Sequence, residues 1–162
     1  MISDTTTTQF QGIAPLPHLG IIRIAGADAA SFLHNQLTND VLLMKEGQSR
    51  LAAFCNAKGR MQASFVIYKR TAEEVLMICR KDLIVQTVKR LSMFVLRAKA
   101  KLSDASEDFQ MLGLAGDAAL AVLNGASTEA WQRHTVGAAD VLTLYPALAQ
   151  PRVIWLAPRS EE

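Results

Sequence analysis

Residues 49 to 70, with the sequence SRLAAFCNAKGRMQASFVIYKR, predict the central element of the fold, a β-hairpin. Two apolar runs of strand-like composition, Leu51 to Cys55 and Met61 to Tyr68, flank the polar segment Asn56 to Arg60. Gly59 can adopt a positive φ without steric cost, which suits a tight turn. Two interpretations of this charged tip stay open: its side chains donate to an anion or a polar ring, or they only keep a sheet edge solvated.

Length and composition indicate an ordinary globular chain. The 162 residues suit one domain or two small interleaved modules, and 50% of them are apolar. No apolar run reaches the ~20 residues of a membrane span, and the N-terminus lacks a basic region leading into an apolar one. We therefore predict a cytoplasmic protein with no membrane partner. Cys55 and Cys79 lie inside apolar runs and match no metal-ligand spacing, so no metal is predicted.

Positive charge is concentrated in the middle of the chain. Residues 45 to 101 contain 13 Lys or Arg against 4 Asp or Glu, although the whole chain has a net charge of only +2. Such a segment favours an anionic partner, for example a nucleic acid, a phosphate or a polycarboxylate. A solvated basic face without a partner is equally consistent with the pattern.

An internal similarity suggests how the chain is divided. Leu112 to Leu123 resembles Ile22 to Leu33, since each has a strand, an Ala-Gly turn, an aspartate that can cap a helix, and an apolar helix. Between them, three strands, a helix and a fourth strand predict an antiparallel α+β unit.

The predicted division of the chain is discontinuous. Residues 1 to 16 are expected to form a flexible leader. Residues 17 to 48 and 105 to 158 are expected to form an α+β frame with the two similar β-turn-α units. Residues 49 to 104 are expected to form an inserted basic module.

The predicted first helix ends in Asn39 and Asp40, which are either ordinary turn formers or site residues. Signatures of nucleotide loops, catalytic triads and metal sites are missing from the sequence. His18, His34 and His134 are widely spaced and indicate no catalytic arrangement. The residues alone therefore nominate no nucleophile.

Three stretches in this order carry a more specific signal: Ile22 to Asp40, which ends in QLTND, the tip Asn56 to Arg60, which reads NAKGR, and Leu112 to Leu123. Together they resemble the aminomethyltransferase (glycine-cleavage GcvT) superfamily, and within it the folate-binding YgfZ-type members. The resemblance implies an α+β, GcvT-like fold, with a ferredoxin-like antiparallel unit inserted in a second α+β unit. It also implies tetrahydrofolate binding, a role in maintaining iron–sulfur enzymes and, through these, tRNA modification.

The sequence departs from the superfamily pattern at identifiable places. Aminomethyltransferases continue the hairpin into G-G-x-x-D-D, whose second Asp is their central catalytic carboxylate, whereas Ala63 and Ser64 stand here. The segment Tyr145 to Pro151 replaces their G-Y-T-G-E turn and offers no carboxylate. We therefore expect no catalysis by that route. The YgfZ signature K-G-C-Y-x-G-Q-E, from the second half of the family's length, is missing, so we expect a fragment or short member whose fold is incomplete at the C-terminus.

A reduced folate needs a polar edge for its pterin, an apolar slot for its middle ring and cations for its anionic tail. The resemblance assigns these roles to nine residues: Asn39, Asp40 and Asn56 for the polar edge, Leu51 and Phe54 for the slot, Lys58, Arg60 and Arg97 for the tail, and Gly59 for the turn that shapes the loop.

Two other functions stay open. One is a folate-dependent aminomethyl or one-carbon transferase, which would need another carboxylate such as Asp40. The other is a basic tRNA- or protein-docking module formed by residues 45 to 101. Folate, iron–sulfur enzymes and tRNA are therefore the candidate partners.

Overall fold

A computed structural model describes residues 10 to 159. In that part the chain forms ten strands, which are numbered β1 to β10 in chain order: Gly12–Pro15, Leu19–Ala25, Ser49–Cys55, Met61–Thr71, Glu74–Arg80, Lys101–Asp104, Phe109–Ala115, Arg133–Val136, Ala139–Ala147 and Gln150–Pro158. It also forms three α-helices, α1 to α3: Ala29–Gln36, Ile84–Ser92 and Asp117–Leu123. Short 3₁₀ turns lie at Lys81–Leu83 and Ser106–Asp108. None of the helices within residues 10 to 159 has the length and apolar character needed to cross a bilayer.

The strands form two antiparallel sheets. Sheet A has the order β1-β7-β10-β9-β8, and sheet B has the order β3-β4-β5-β2-β6. Helices α1 and α2 cover one face of sheet B, and α3 covers one face of sheet A. The remaining faces of the two sheets pack against each other. The result is the α+β architecture that the sequence predicts, in four layers.

Strand β5, in the middle of sheet B, is buried on both faces. Val75 and Met77 point into the core beneath α1 and α2, whereas Leu76 and Ile78 point into the core between the sheets. Because successive side chains of a strand alternate between faces, a strand buried on both sides must be a continuous apolar run. The sequence of β5 is such a run.

Sheet B contains the predicted ferredoxin-like unit, but with different bounds. The order β2-α1-β4-β5-α2-β6 along the chain, with β4-β5-β2-β6 in space, is the βαββαβ arrangement of that unit, and β3 adds an edge strand. We predicted a module of residues 49 to 104. The strand pairing extends it to residues 19 to 104, because β2 pairs with β5 along its whole length, from Leu19 to Ala25.

The boundary shift affects both predicted frame segments. The sequence division groups β2 and α1 with residues 105 to 158. In the structure both belong to sheet B and to the core between that sheet and its helices α1 and α2, called here the helix-side core. The two similar β-turn-α units, β2 with α1 and β7 with α3, therefore lie in different sheets. Sequence similarity between two units does not reveal with which strands each one pairs.

The predicted leader also needs correction. Residues 1 to 9 lie outside the described residues, but Gly12–Pro15 forms β1 and pairs with β7 at the edge of sheet A. Pro15 argues against a strand when only the sequence is considered, because proline is rare in strand interiors. A proline is nevertheless compatible with an edge strand, where its missing N–H costs no ladder hydrogen bond.

The turn between β2 and α1 is built around Gly26 and Asp28. Gly26 has φ of +136°, and a Cβ there would lie 2.0 Å from the carbonyl oxygen of Lys99. The Asp28 side chain makes no capping hydrogen bond to α1, contrary to prediction. Its Oδ2 instead accepts a 2.7 Å hydrogen bond from the amide of Lys99. Both residues thus hold the segment before β6 against this turn.

A row of alternating charges runs between the sheets. Arg133 donates from Nε and Nη2 to Oδ1 of Asp140, at 2.9 and 2.6 Å. Nε of Arg70 lies 3.6 Å from Oδ2 of Asp140, and Nη1 of Arg70 lies 3.5 Å from Oε2 of Glu74. Arg23 donates to Glu74 at 2.8 Å. Because these charges are paired, they can be placed at the junction of two apolar cores.

Candidate functional site

The hairpin tip between β3 and β4 is a tightly bonded turn. Oδ1 of Asn56 accepts hydrogen bonds from the amides of Lys58 and Arg60, each at 3.0 Å. The Asn56 amide also donates to the carbonyl of Arg60 at 2.9 Å. Gly59 has φ of +73°, as its predicted role requires. The oxygen of Asn56 is thus engaged within the turn, while the side chains of Lys58 and Arg60 are exposed at the tip.

The two predicted slot residues lie on opposite faces of sheet B. Phe54 is buried in the helix-side core, where it also lines a small cavity of about 250 Å³ beside α2. Leu51 is 50% exposed and points to the other face, toward sheet A. Positions 51 and 54 differ by an odd number, so the strand periodicity separates them. One apolar slot cannot contain both side chains.

Asn39 and Asp40 make the interactions of a turn. Asn39 donates from Nδ2 to the carbonyl of Leu51 at 2.8 Å and accepts the amide of Asp40, also at 2.8 Å. The carboxylate of Asp40 accepts the amide of Leu43 at 2.8 Å, with Nδ1 of His34 at 3.3 Å from the same oxygen. The hydrogen bond from Leu43 holds the pKa of Asp40 below its usual value. Asn39 thereby attaches this turn directly to β3.

Ala63 and Ser64, the positions of the absent carboxylate pair, also face in opposite directions. Ala63 is 3% exposed and belongs to the helix-side core. Ser64 is exposed on the face of sheet B that is turned toward sheet A, where it pairs with Ala53. The hydroxyl of Ser64 is therefore the polar group that this pair offers to the space between the sheets.

An open cleft lies where the two sheets diverge. It consists of three adjoining cavities of about 470, 220 and 400 Å³. Leu51 lines the first two cavities, and Leu19 and Ile154 line the last two. These shared wall residues place the neighbouring cavities side by side along the sheet interface.

The cleft changes character along its length. Asn39, Gln48 and Trp131 contribute to the first cavity, whose walls are polar and apolar in about equal parts. Val66 and Ile78, with Ser64, line the middle cavity. The third cavity is largely apolar, with Arg152 at its wall. A long ligand with a polar end and an apolar middle has matching surfaces here.

The predicted cations are dispersed. Lys58 and Arg60 occupy the hairpin tip, and Arg97 is exposed in the segment between α2 and β6. None of these three side chains is among the described residues that line the cleft. Of the nine predicted site residues, Asn39 and Leu51 come together at one cavity.

Trp131 lines the first cavity of the cleft, although no sequence pattern marks it as a site residue. It has φ of +68°, and its carbonyl accepts the amide of Ser49 at 2.9 Å. Its ring lies 6.0 Å from that of Tyr145. An adjacent bridge between Gln48 and Gln132 joins the edges of the two sheets. This contact links segments that are far apart in the chain, so no local sequence pattern predicts it.

Within residues 10 to 159, no cluster of three or more His, Cys, Asp or Glu side chains is placed to hold one metal ion. The cysteines of that part are free, and burial raises the pKa of the Cys79 thiol to about 11.

Sequence comparison connects this architecture to known proteins. The GCVT N-terminal domain family matches residues 5–153. The tRNA-modifying protein YgfZ of Hamiltonella defensa is 34% identical over 104 residues, which are 64% of this chain and 30% of that protein. An aminomethyltransferase of Bacillus cytotoxicus is 28% identical over 118 residues, which are 73% of this chain and 32% of that enzyme. The chain thus spans about a third of the length of these relatives.

A solved structure shows the same fold. The glycine cleavage system aminomethyltransferase T from Bartonella henselae superimposes with a TM-score of 0.77 and 18% identity, over 91% of this chain and 42% of that one. The predicted GcvT-like fold is therefore confirmed. Since the family match covers most of the sequence, the chain belongs to the GCVT N-terminal domain family.

Proposed function

We propose that this chain binds tetrahydrofolate or a derivative in the cleft between the sheets and does not catalyse aminomethyl transfer through a carboxylate. The observation that carries the proposal is the half-exposed Leu51, which lines both the mixed first cavity and the apolar middle cavity. The similarity to YgfZ and to aminomethyltransferases supports the same ligand class.

The chemistry of the cleft suits a reduced folate. The pterin presents several donors and acceptors on a flat ring, and the first cavity supplies backbone and amide groups beside the indole of Trp131. The middle ring of the ligand is apolar, as are Leu51 and Val66. Ligand pockets usually measure about 300 to 1,000 Å³, and the first and third cavities fall within that range.

The proposed absence of catalysis rests on Ser64. A general base must take a proton near neutral pH, which a carboxylate with a raised pKa can do. A hydroxyl without an adjacent base cannot. Binding and release of the folate, rather than chemistry on it, is therefore the proposed activity of this site.

Calorimetric titration with tetrahydrofolate tests the proposal. We expect micromolar affinity for the wild-type chain and a loss of at least ~10-fold for Leu51→Gln, which places an amide against the apolar middle of the ligand. Leu96→Gln is the matched control, since Leu96 is 86% exposed after α2 and outside the cleft. A folded wild-type protein without binding below the millimolar range, or an equal loss in both variants, would contradict the proposal.

A transferase remains the enzymatic alternative, with Asp40 as the carboxylate that the sequence nominates. It predicts turnover of a folate-bound one-carbon unit that Asp40→Ala abolishes. Our proposal predicts no turnover in either protein, measured by the change in folate absorbance. Turnover that depends on Asp40 would favour the transferase.

We further propose that the full protein acts in the cytoplasm in maintaining iron–sulfur proteins and, through these, tRNA modification. The name of the YgfZ relative supports the link to tRNA. In a bacterium that encodes this chain, deletion of the gene should lower the activity of iron–sulfur enzymes. The wild-type gene should restore that activity, whereas Leu51→Gln should not.

A second candidate function is docking to tRNA. It is favoured by the cavity beside α2, on the face of sheet B away from the cleft. Lys89, Arg90, Gln62 and Gln86 contribute to its walls, and no carboxylate is among its described lining residues. This surface predicts RNA binding that weakens steeply with salt. Lys89→Glu with Arg90→Glu should abolish it in a filter-binding assay, and Lys45→Glu with Lys101→Glu should weaken it less. Salt-insensitive association would contradict docking through these charges.

A further inference from the structure

The cavity beside α2 is a groove between that helix and the β3–β4 hairpin, with a volume of about 250 Å³. One wall is a single face of α2 and its C-terminal end, on which residues recur every three or four positions: Gln86, Lys89, Arg90 and Met93. Phe54 of β3 and Gln62 of β4 form the other wall. The groove therefore combines two apolar side chains, Phe54 and Met93, with two cations.

The segments that form this groove carry positive charge only. Residues 83 to 100 contain four Lys or Arg and no Asp or Glu, and residues 54 to 62 contain two Lys or Arg and no Asp or Glu. Among residues 10 to 159, no ion pair uses Lys89 or Arg90, and both side chains are exposed. An anionic partner is therefore complementary to this surface.

Large apolar side chains are exposed directly beside these cations. Met93 and Phe94, which follow α2, are 69% and 50% exposed, and Leu96 in the same segment is also exposed. A single exposed apolar side chain is ordinary, whereas a group of them marks an interaction surface. Cations at a helix C-terminus stabilise the helix dipole, but the dipole does not account for these apolar neighbours. Methionine, being flexible, can adapt to the surface of a partner.

The combination of charge and apolar surface favours a protein segment over RNA. RNA offers phosphates to the cations and base faces to Phe94, but it has no aliphatic surface for Met93 and Leu96. An amphipathic helix carries apolar side chains every three or four residues and can carry carboxylates between them. Such a helix complements both parts of the groove.

We infer that this groove docks an acidic amphipathic helix of a partner protein. An apolar side chain of that helix sits between Phe54 and Met93, and its carboxylates pair with Lys89 and Arg90. The inference does not rest on the folate proposal, because the groove lies on the face of sheet B away from the cleft. It assigns to a protein the surface at which the second candidate function places RNA.

Three synthetic peptides separate the charge contact from the apolar contact. LEELLEELLEEL is acidic and amphipathic, LKKLLKKLLKKL has the same leucines with the opposite charge, and SEESSEESSEES has the same charge without leucine. In fluorescence anisotropy, the wild-type chain should bind the first peptide with micromolar affinity and each of the others at least ~10-fold more weakly. Absence of binding of the first peptide below the millimolar range would refute the inference, as would equal binding of either control peptide.

Single substitutions locate the contact on the surface. Met93→Gln removes an apolar contact and Arg90→Gln removes a charge, and each should weaken binding of LEELLEELLEEL at least ~5-fold. Leu148→Gln and Lys45→Gln are the matched controls, because each changes an exposed side chain outside the groove, and each should change the affinity less than ~2-fold. Thermal unfolding followed by circular dichroism checks that all four variants are folded. Equal losses in the groove variants and their controls would overturn the inference.

Other occupants of the groove would give different results. If RNA occupies it, tRNA binds more tightly than LEELLEELLEEL, displaces that peptide and is unaffected by Met93→Gln. If a second copy of the chain occupies it, the wild-type protein sediments as a dimer and Met93→Gln sediments as a monomer. Either result would overturn the inference.

Competition with tetrahydrofolate separates this inference from the proposed function. Tetrahydrofolate should not displace LEELLEELLEEL, because the cleft and the groove lie on opposite faces of sheet B. Displacement would place the peptide in the cleft and refute the inference. Failure of tetrahydrofolate to bind, with peptide binding intact, would refute the proposed function and leave the docking groove standing.

Discussion

The hydroxyl of Tyr68 donates a 2.9 Å hydrogen bond to Oδ2 of Asp140, and so connects β4 of sheet B to β9 of sheet A. Tyr68 is fully buried, and Asp140 is 4% exposed. Burial, followed by the neighbouring carboxylate, raises the pKa of Tyr68 and keeps its proton on the phenol. Asp140 also accepts two hydrogen bonds from Arg133, so this one carboxylate joins β8 and β9 of sheet A to β4 of sheet B.

Removing the charge of Asp140 should destabilise the protein more than removing the hydroxyl of Tyr68. Asp140→Asn leaves the buried guanidinium of Arg133 without its counter-ion, which should cost about 3 to 5 kcal/mol. Tyr68→Phe leaves the ion pair intact and should cost about 1 to 2 kcal/mol. Urea denaturation measures both values. Asp82→Asn breaks an exposed pair with Arg80 and should change stability by less than ~1 kcal/mol. The reverse order for Asp140 and Tyr68 would contradict this account.

The two positions of the missing carboxylate pair should respond oppositely to a carboxylate. Ala63→Asp places a charge in the helix-side core, which should cost several kcal/mol or prevent folding. Ser64→Asp places it on an exposed cleft face and should change stability by less than ~1 kcal/mol. Thermal unfolding followed by circular dichroism compares the two variants. A Ser64→Asp protein that unfolds as readily as Ala63→Asp would show that Ser64 does not face an open cleft.

Two glycines with positive φ should differ in their tolerance of alanine. Gly26→Ala brings a Cβ to 2.0 Å from the Lys99 carbonyl, so the turn and the segment before β6 must separate, and we expect a loss above ~2 kcal/mol. Gly59 has open space around its Cβ position, so Gly59→Ala should cost only about 1 kcal/mol of backbone strain. Equal losses in urea denaturation would argue against the close contact at Lys99.

The elements of the fold follow from local patterns, whereas their pairing does not. The alternation and turn chemistry of residues 49 to 70 predict the hairpin, and the apolar run of β5 predicts a buried strand. The pairing of β2 with β5 is decided by packing between segments that are far apart in the chain. Local sequence patterns therefore do not predict it. The βαββαβ unit was therefore recognised without its first strand and helix.

The same limit applies to the site: the local roles of its residues were predictable from the sequence, and contacts between distant segments were not. Asn56, Gly59 and the turn at Asn39 have local roles, and their backbone contacts agree with turn formation. Trp131 lies just before β8 of the other sheet, and only the meeting of two sheet edges places it in one cavity with Leu51. Strand periodicity was available in the sequence and already separates Leu51 from Phe54.

Acid should weaken the turn at Asp40. Its folded pKa lies below the unfolded value, so its contribution to stability is complete above the unfolded pKa and is lost as pH falls through the folded pKa. Asp40→Asn should be less stable than the wild-type protein at pH 7, and the difference should shrink as pH falls toward 2. Urea midpoints measured along this pH series give the comparison. A difference that is constant with pH would assign the effect to shape rather than to charge.

Burial should protect Cys79 from thiol reagents. Its pKa is raised to about 11, so the reactive thiolate is scarce at pH 8, and its contribution to stability is complete below the unfolded pKa of about 8.5 and is lost as pH rises through 11. Iodoacetamide at pH 8 should alkylate the half-buried Cys55 in the native wild-type protein. The Cys55→Ala variant should react only in denaturant, as read by mass spectrometry. Rapid labelling of native Cys55→Ala would mean that the helix-side core opens readily at β5.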